Sequence, residues 1–133
     1  MASSRRNILI SGMGRFISAD AEAFQKFGPS HLNQQQLNAD IAQATEAGYD
    51  CDTEDINPND AQDSLKRVRD RLKSKRYDAY IIGYGIRGKK DHTALYERVV
   101  NLAVEVSPTT RFGFSTAPDT VFETIKRVLP AES

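Results

Sequence analysis

The chain has one cysteine, two histidines and no net charge. A lone Cys51 excludes a disulfide framework and an all-cysteine metal site, and it fits a reducing, cytoplasmic compartment. His31 and His92 stand far apart with no carboxylate pattern around them, so no metal set is expected. Eighteen lysines and arginines balance eighteen aspartates and glutamates, which leaves no bulk charge to attract a nucleic acid. Long apolar runs are missing too. Residues 1–6 lead into only Ile8-Leu9-Ile10 before Gly12, too short for a membrane span or a secretion signal. Repeats, low-complexity tracts and Pro/Gly-rich linkers are absent, so residues 1–133 read as a single α/β domain. A chain of that length buries about two-thirds of its unfolded surface and needs no covalent staple.

What is present is an alternation of two periods. Asn7 to Ser11 is a continuous apolar run stopped by Gly12, as expected of a strand buried on both faces, and Tyr77 to Ile82 before Gly83 reads the same way. Arg111 to Ser115 is a shorter strand. Tyr49 to Ile56 alternates Tyr49, Cys51 and Thr53 with Asp50, Asp52 and Glu54, a pattern suited to a sheet edge guarded by charge. Between the strands lie helix-period segments. Asn33 and Gln36 resemble a capping pair before Leu37, Ile41 and Ala44, with Gly48 ending the run. Pro58 and Asp60 open a second helix with Ala61, Leu65, Val68 and Leu72 inward; Asp91 opens a third with Leu95, Val99, Leu102 and Val106 inward. Thr116, Pro118 and Asp119 start a last helix that faces the sheet with Val121, Ile125 and Val128. Alternating strands and helices imply a small doubly wound three-layer α/β sandwich, flavodoxin-like or Rossmann-like, with four parallel strands in the order 2-1-3-4.

In such sheets ligands bind beyond the carboxyl ends of the strands, where the strand order reverses. That point lies between the ends of the first and third strands, which read Gly12-Met13-Gly14-Arg15 and Gly83-Tyr84-Gly85-Ile86-Arg87-Gly88. Glycines let a ligand approach the backbone, guanidinium captures carboxylate or phosphate, and Ser115 and Thr116 end the fourth strand with two hydroxyls. The helix after the third strand would add its N-terminal dipole. The expected ligand-binding set is therefore Gly12, Gly14, Arg15, Tyr84, Gly85, Arg87, Gly88, Ser115 and Thr116, and the expected ligand is a small anion. The plainer reading is that the glycines make tight turns, Ser115 and Thr116 cap a helix and both arginines are solvated. Residues 13–32 form a connection too long for a simple turn, as a lid would, although a plain loop is the alternative.

Two famous patterns fit only on paper. Gly83-x-Gly85-x-x-Gly88 spells a dinucleotide fingerprint, but only one strand follows and Ser115-Thr116 stand where its acidic ribose partner belongs. Gly83-x4-Gly88-Lys89 resembles a phosphate loop, but Lys90 replaces the hydroxyl that would hold magnesium. Receiver, low-molecular-weight phosphatase and flavodoxin loops need acids, a Cys-x5-Arg loop or several hydroxyls at strand ends occupied here by glycine. No cofactor is implied.

His92, beside the Gly83–Gly88 turn, is the candidate general acid or base; the alternative is an ordinary first-turn histidine. Cys51 among acids is a poor nucleophile. Charge is segregated along the chain: residues 16–63 carry ten acids and one base, residues 64–98 eleven bases and four acids. The basic run from Lys66 to Arg76 lacks interleaved aromatics for nucleic acid and suits a solvated helix face, while two free sheet edges with five Tyr and six Phe leave room for a homodimer. Two functions remain open: a cofactor-independent enzyme acting on an anionic metabolite with His92 moving protons, and a non-catalytic binding, regulatory or protein-interaction module.

Overall fold

Ile8 and Ile10 point to one side of the first strand and Leu9 to the other, and all three are buried, so helices must cover both faces. A computed structural model describes residues 5–14 and 30–129, and of Ser30 and His31 the backbone alone. Its elements run β1 (Arg6–Ser11), α1 (Ser30–Glu46), β2 (Tyr49–Thr53), α2 (Ala61–Ser74), β3 (Ala79–Ile82), α3 (Tyr84–Arg87), a 3-10 turn Lys90–His92, α4 (Thr93–Val106), β4 (Arg111–Phe114), a second 3-10 turn Pro118–Thr120 and α5 (Val121–Val128). The strands form one parallel sheet in the order β2-β1-β3-β4. Ile8 pairs with Cys51 on one side and Ala79 on the other, and Ile81 pairs with Gly113.

The three layers follow from strand alternation. Leu9, Tyr80 and Ile82 pack with Leu65, Val68 and Leu72 of α2 and Leu95, Val99 and Leu102 of α4. On the opposite face, Ile8, Ile10, Ala79 and Ile81 pack with Ala44 of α1 and Val121 and Ile125 of α5. Asp60 caps α2, its carboxylate accepting from the Asp63 amide at 3.2 Å. Asp40 of α1 caps α5 from outside, accepting from the Phe122 amide. No described helix is long and apolar enough to cross a membrane.

Several boundaries differ from the sequence expectation, each for a local reason. α1 begins at Ser30, so Asn33 and Gln36 lie inside the helix rather than capping it. β2 stops at Thr53, yet the Glu54 and Ile56 amides still bond to Ile10 and Gly12 carbonyls, which continues the expected path without strand geometry. β3 begins at Ala79 because Tyr77 turns into the core, its hydroxyl donating to Asp52 at 2.7 Å. The segment after β3 coils into the short α3, which glycine content concealed. The acids of the β2 edge are not left in solvent. Asp50 pairs with Arg5 at 2.6 Å, Asp52 with Lys75 at 2.8 Å, and Glu54 with Arg67 and Arg71 of α2. Part of the basic run thus fastens α2 to the sheet, while Arg69, Lys73 and Arg76 remain exposed.

Candidate functional site

Four strand ends converge. Ser11-Gly12 leaves β1, Asp55 follows β2, Gly83-Tyr84-Gly85 leaves β3 and Ser115-Thr116 leaves β4. Together with the start of α1 and with Pro118 and Val121 they enclose an open crevice of about 710 Å³, its mouth included. The crevice lies at the reversal of strand order, between β1 and β3.

Its floor is bare backbone. Gly83 sits at φ −75° and ψ 161°, ordinary extended values, and donates its amide to the Ser11 carbonyl at 2.8 Å. A Cβ on Gly83 would stand 3.5 Å from that carbonyl, 3.6 Å from the Gly12 Cα and 4.0 Å from the Ser115 Oγ, all normal contacts. A Cβ on Gly12 would meet no described atom within 4 Å, and Gly12 is not in the left-handed region. Neither backbone conformation nor packing among the described residues demands glycine at these two positions. Gly14 is different: φ is +49°, and its missing Cβ leaves room for the Asp55 carboxylate, whose Oδ1 would lie 2.2 Å from such an atom.

Polar groups ring this floor. Behind the floor, outside the lining, Tyr80 is fully buried, and burial pushes its phenol far above the ordinary value, so it stays protonated and donates to the Ser11 Oγ at 2.7 Å. Thr53, Asn33, Gln34, Ser115 and Thr116 supply further hydroxyls and amides, while Ile10, Leu37, Pro118 and Val121 make the walls apolar. The Thr116 and Ala117 amides, which precede the 3-10 turn, are already taken, both donating to the Thr120 Oγ1 at 3.1 Å. Among the described lining residues Asp55 is the one acidic side chain, and none of them is a histidine, cysteine, lysine or arginine.

Of the residues expected at the site, Gly12, Gly14, Tyr84, Gly85, Ser115 and Thr116 line the crevice. Arg87 does not. Its Nη2 donates to the Ser115 carbonyl at 3.0 Å, and its guanidinium lies 5.1 Å from the Phe114 ring centre and 5.4 Å from that of Tyr84. Gly88 lies behind the same wall, where a Cβ would come within 2.4 Å of the Tyr84 ring. His92 is buried at the start of α4 and lies outside the lining. Arg15 and most of the 13–32 connection fall outside the described residues, and so does the His31 side chain. Cys51 is pushed up to about 11, first by burial and then by Asp50 and Asp52, and lies outside the crevice. Among the described residues no three His, Cys, Asp or Glu side chains gather as metal ligands.

Asp55 is the residue that sequence reasoning missed. In the sequence it reads as one more acid at the end of a guarded edge strand, and it is β2, not β4, that carries an acid just past its end. The usable signal was the strand order itself: β2 neighbours β1, so an acid just past β2 stands beside the glycine turn that leaves β1. Compared with family models, with curated proteins and with solved structures, the chain matches none.

Proposed function

We propose that this protein binds a small molecule in the crevice at the carboxyl ends of β1 and β3, as a binding module rather than a proton-transfer enzyme. The observation that carries the reading is the Gly12–Gly83 floor, two adjacent glycines that end the two central strands where the fold itself tolerates a side chain. Glycine at such a point suits close approach of a ligand to the backbone. Around it, apolar walls and a few hydroxyls and amides are the usual make-up of a small-molecule site. Acid–base catalysis needs a positioned donor and acceptor, and the described lining offers a single carboxylate among hydroxyls, amides and apolar side chains, with no histidine, lysine or cysteine.

Of the two arginines expected to hold an anionic ligand, Arg15 and Arg87, the second is engaged elsewhere. With Arg87 bonded to Ser115 behind the wall, an anionic group would depend on Arg15. Thermal-shift screening of neutral, cationic, carboxylate and phosphate compounds tests the reading on wild type, Gly12→Leu and Arg15→Ala. A ligand at a hundred times its Kd stabilises by about 2.7 kcal/mol. The expected result is a hit abolished by Gly12→Leu, and loss in Arg15→Ala as well assigns the anionic class. A hit that survives Gly12→Leu, or no hit in any class, overturns the proposal.

A further inference from the structure

We infer that the occupant of the crevice is a flat aromatic ring system, lying across the ends of β1 and β3 and hydrogen-bonded at one edge by the Ser115 hydroxyl. This rests on the crevice being the binding site and adds the class of ligand. The shape follows from one row of the sheet. Ser11 pairs with Ile82 and Ile82 with Phe114, so the next residue of each strand, Gly12, Gly83 and Ser115, continues the row side by side. The distances agree: a Cβ on Gly83 would stand 3.6 Å from the Gly12 Cα and 4.0 Å from the Ser115 Oγ. Alternation puts this row on the face of Ile10, Ile81 and Gly113, the one covered by α1 and α5. Two of these three positions carry no side chain. They leave a slot one side-chain layer deep, about 5 Å, and two strands wide, about 10 Å. Leu37 of α1 and Val121 of α5 line it from the helix layer, with Ile10 at its inner end. A flat ring is about 3.5 Å thick, so one ring layer fits with the glycine backbone on one face and apolar side chains on the other. Two fused rings match the width. A saturated ring of the same outline puckers and presses its axial hydrogens on both walls.

Ser115 supplies the polar contact. The residue is 4% exposed, and its hydroxyl makes no hydrogen bond among the described residues. Of the described side-chain polar atoms only Arg87 Nε is both closed off and unpartnered, so the Ser115 Oγ opens on the crevice that its residue lines. A largely buried hydroxyl left open at one point is the usual polar fixture of a small-molecule site. It lies beside Gly83, level with the edge of a ring resting on that floor. From there it can donate to a ring nitrogen or carbonyl, or accept from a ring N–H. Asp55, past β2, keeps its carboxylate against Gly14, so this contact does not depend on it.

The test is NMR titration of wild type with quinolin-2-one, isoquinolin-1-one and benzimidazol-2-one, repeated on Ser115→Ala and Gly12→Leu. Each is set beside its ring-saturated counterpart, which keeps the amide edge and loses the flatness. At least one flat compound binds wild type and moves the Gly12 and Gly83 α-protons upfield, as an aromatic face lying over them must. Its saturated counterpart binds about tenfold or more weakly. Ser115→Ala weakens the flat compound about fivefold. Saturated forms that bind as well as flat ones overturn the inference, as does the absence of binding by every flat compound, or binding without the upfield shift. Unchanged binding in Ser115→Ala overturns the edge contact. The comparison on wild type decides the matter even where a variant fails to fold. The two readings fail differently. Saturated compounds that bind as well as flat ones, and are lost in Gly12→Leu, keep the crevice and remove the flat ring. Flat-ring binding that survives Gly12→Leu removes the crevice itself.

Discussion

The Arg67 guanidinium stands 2.5 Å from the Glu54 carboxylate, joining the acid-rich stretch of the chain to the base-rich one that follows. Arg71 reaches the other Glu54 oxygen at 3.1 Å, and Arg67 also bonds Asp63 and the Asp55 carbonyl. Segregated charge along the sequence is thus matched within one chain. Removing Arg67 leaves Glu54 and the Asp55 carbonyl short of donors in a partly covered place. Arg67→Ala is expected to lower unfolding free energy by about 2 kcal/mol in urea titrations, more than Lys66→Ala, whose i,i+4 pair with Asp70 is exposed. Equal effects would contradict this account of how α2 is fastened.

The glycines divide by stability as well as by role. Gly83→Ala is expected to stay within about 0.5 kcal/mol of wild type, since the lost unfolded-state freedom offsets a less favoured helix start. Gly14→Ala places a Cβ at positive φ and into the Asp55 carboxylate, and should cost about 2 kcal/mol or more. Gly113→Ala presses on Ile81 Cδ1 at 2.7 Å and Thr124 Cγ2 at 2.8 Å in the core, and should also destabilise. Thermal melts of the three variants without ligand check the ranking; a costly Gly83→Ala would mean that the floor is shaped by folding alone.

Arg87 ties α3 to the end of β4 through the Ser115 carbonyl and two aromatic rings. Arg87→Ala should therefore lower stability by about 1–2 kcal/mol with no ligand present. Arg87→Lys should lose most of the same amount, because an ammonium has neither the planar fork nor the stacking face. Denaturant curves for both variants decide it, and a Lys variant as stable as wild type would reduce the contact to simple charge.

Tyr77 sets an alkaline limit. Burial, then the hydrogen bond to Asp52 and the charge of that carboxylate, push its phenol up to about 12 from an ordinary 10. The folded state holds a proton that the unfolded chain has released, so this contribution is complete below pH 10 and is lost as pH rises through 12. Asp52 acts on the acid side. Burial alone would raise it, but hydrogen bonds from Lys75 and Tyr77 and the charges of Lys75 and Arg71 outweigh that and hold it below its ordinary 3.8. Its contribution is present above that value and fades as pH falls below it. Urea midpoints from pH 9 to 11 should fall in wild type and fall less steeply in Tyr77→Phe; parallel slopes would count against Tyr77 as the cause.

The sheet was legible because both central strands read as unbroken apolar runs, and period-2 and period-3.6 segments alternate between them. The position of the crevice followed from strand order, and Gly12, Gly85 and Ser115 fell where that order put them. Side-chain direction was not legible. Arg87 and His92 lie near the crevice in sequence, yet one turns to a backbone carbonyl between two rings and the other is buried at a helix start. Asp55 was hidden by the opposite effect: its neighbours Asp52 and Glu54 are structural acids, and only the three-dimensional approach of Gly14 sets it apart.

The position of β1 between β2 and β3 has a consequence for assembly during synthesis. Asn7 bonds with Asp78, 71 residues further on, so β1 waits for that stretch to be made before its second neighbour exists. The wall formed by Ser115 to Val121 emerges later still. Only a sheet in which β4 has docked owns that wall, so the crevice is complete only when all four described strands are paired. A molecule seated there would stabilise the fully paired sheet over forms in which the end of β4 is still undocked.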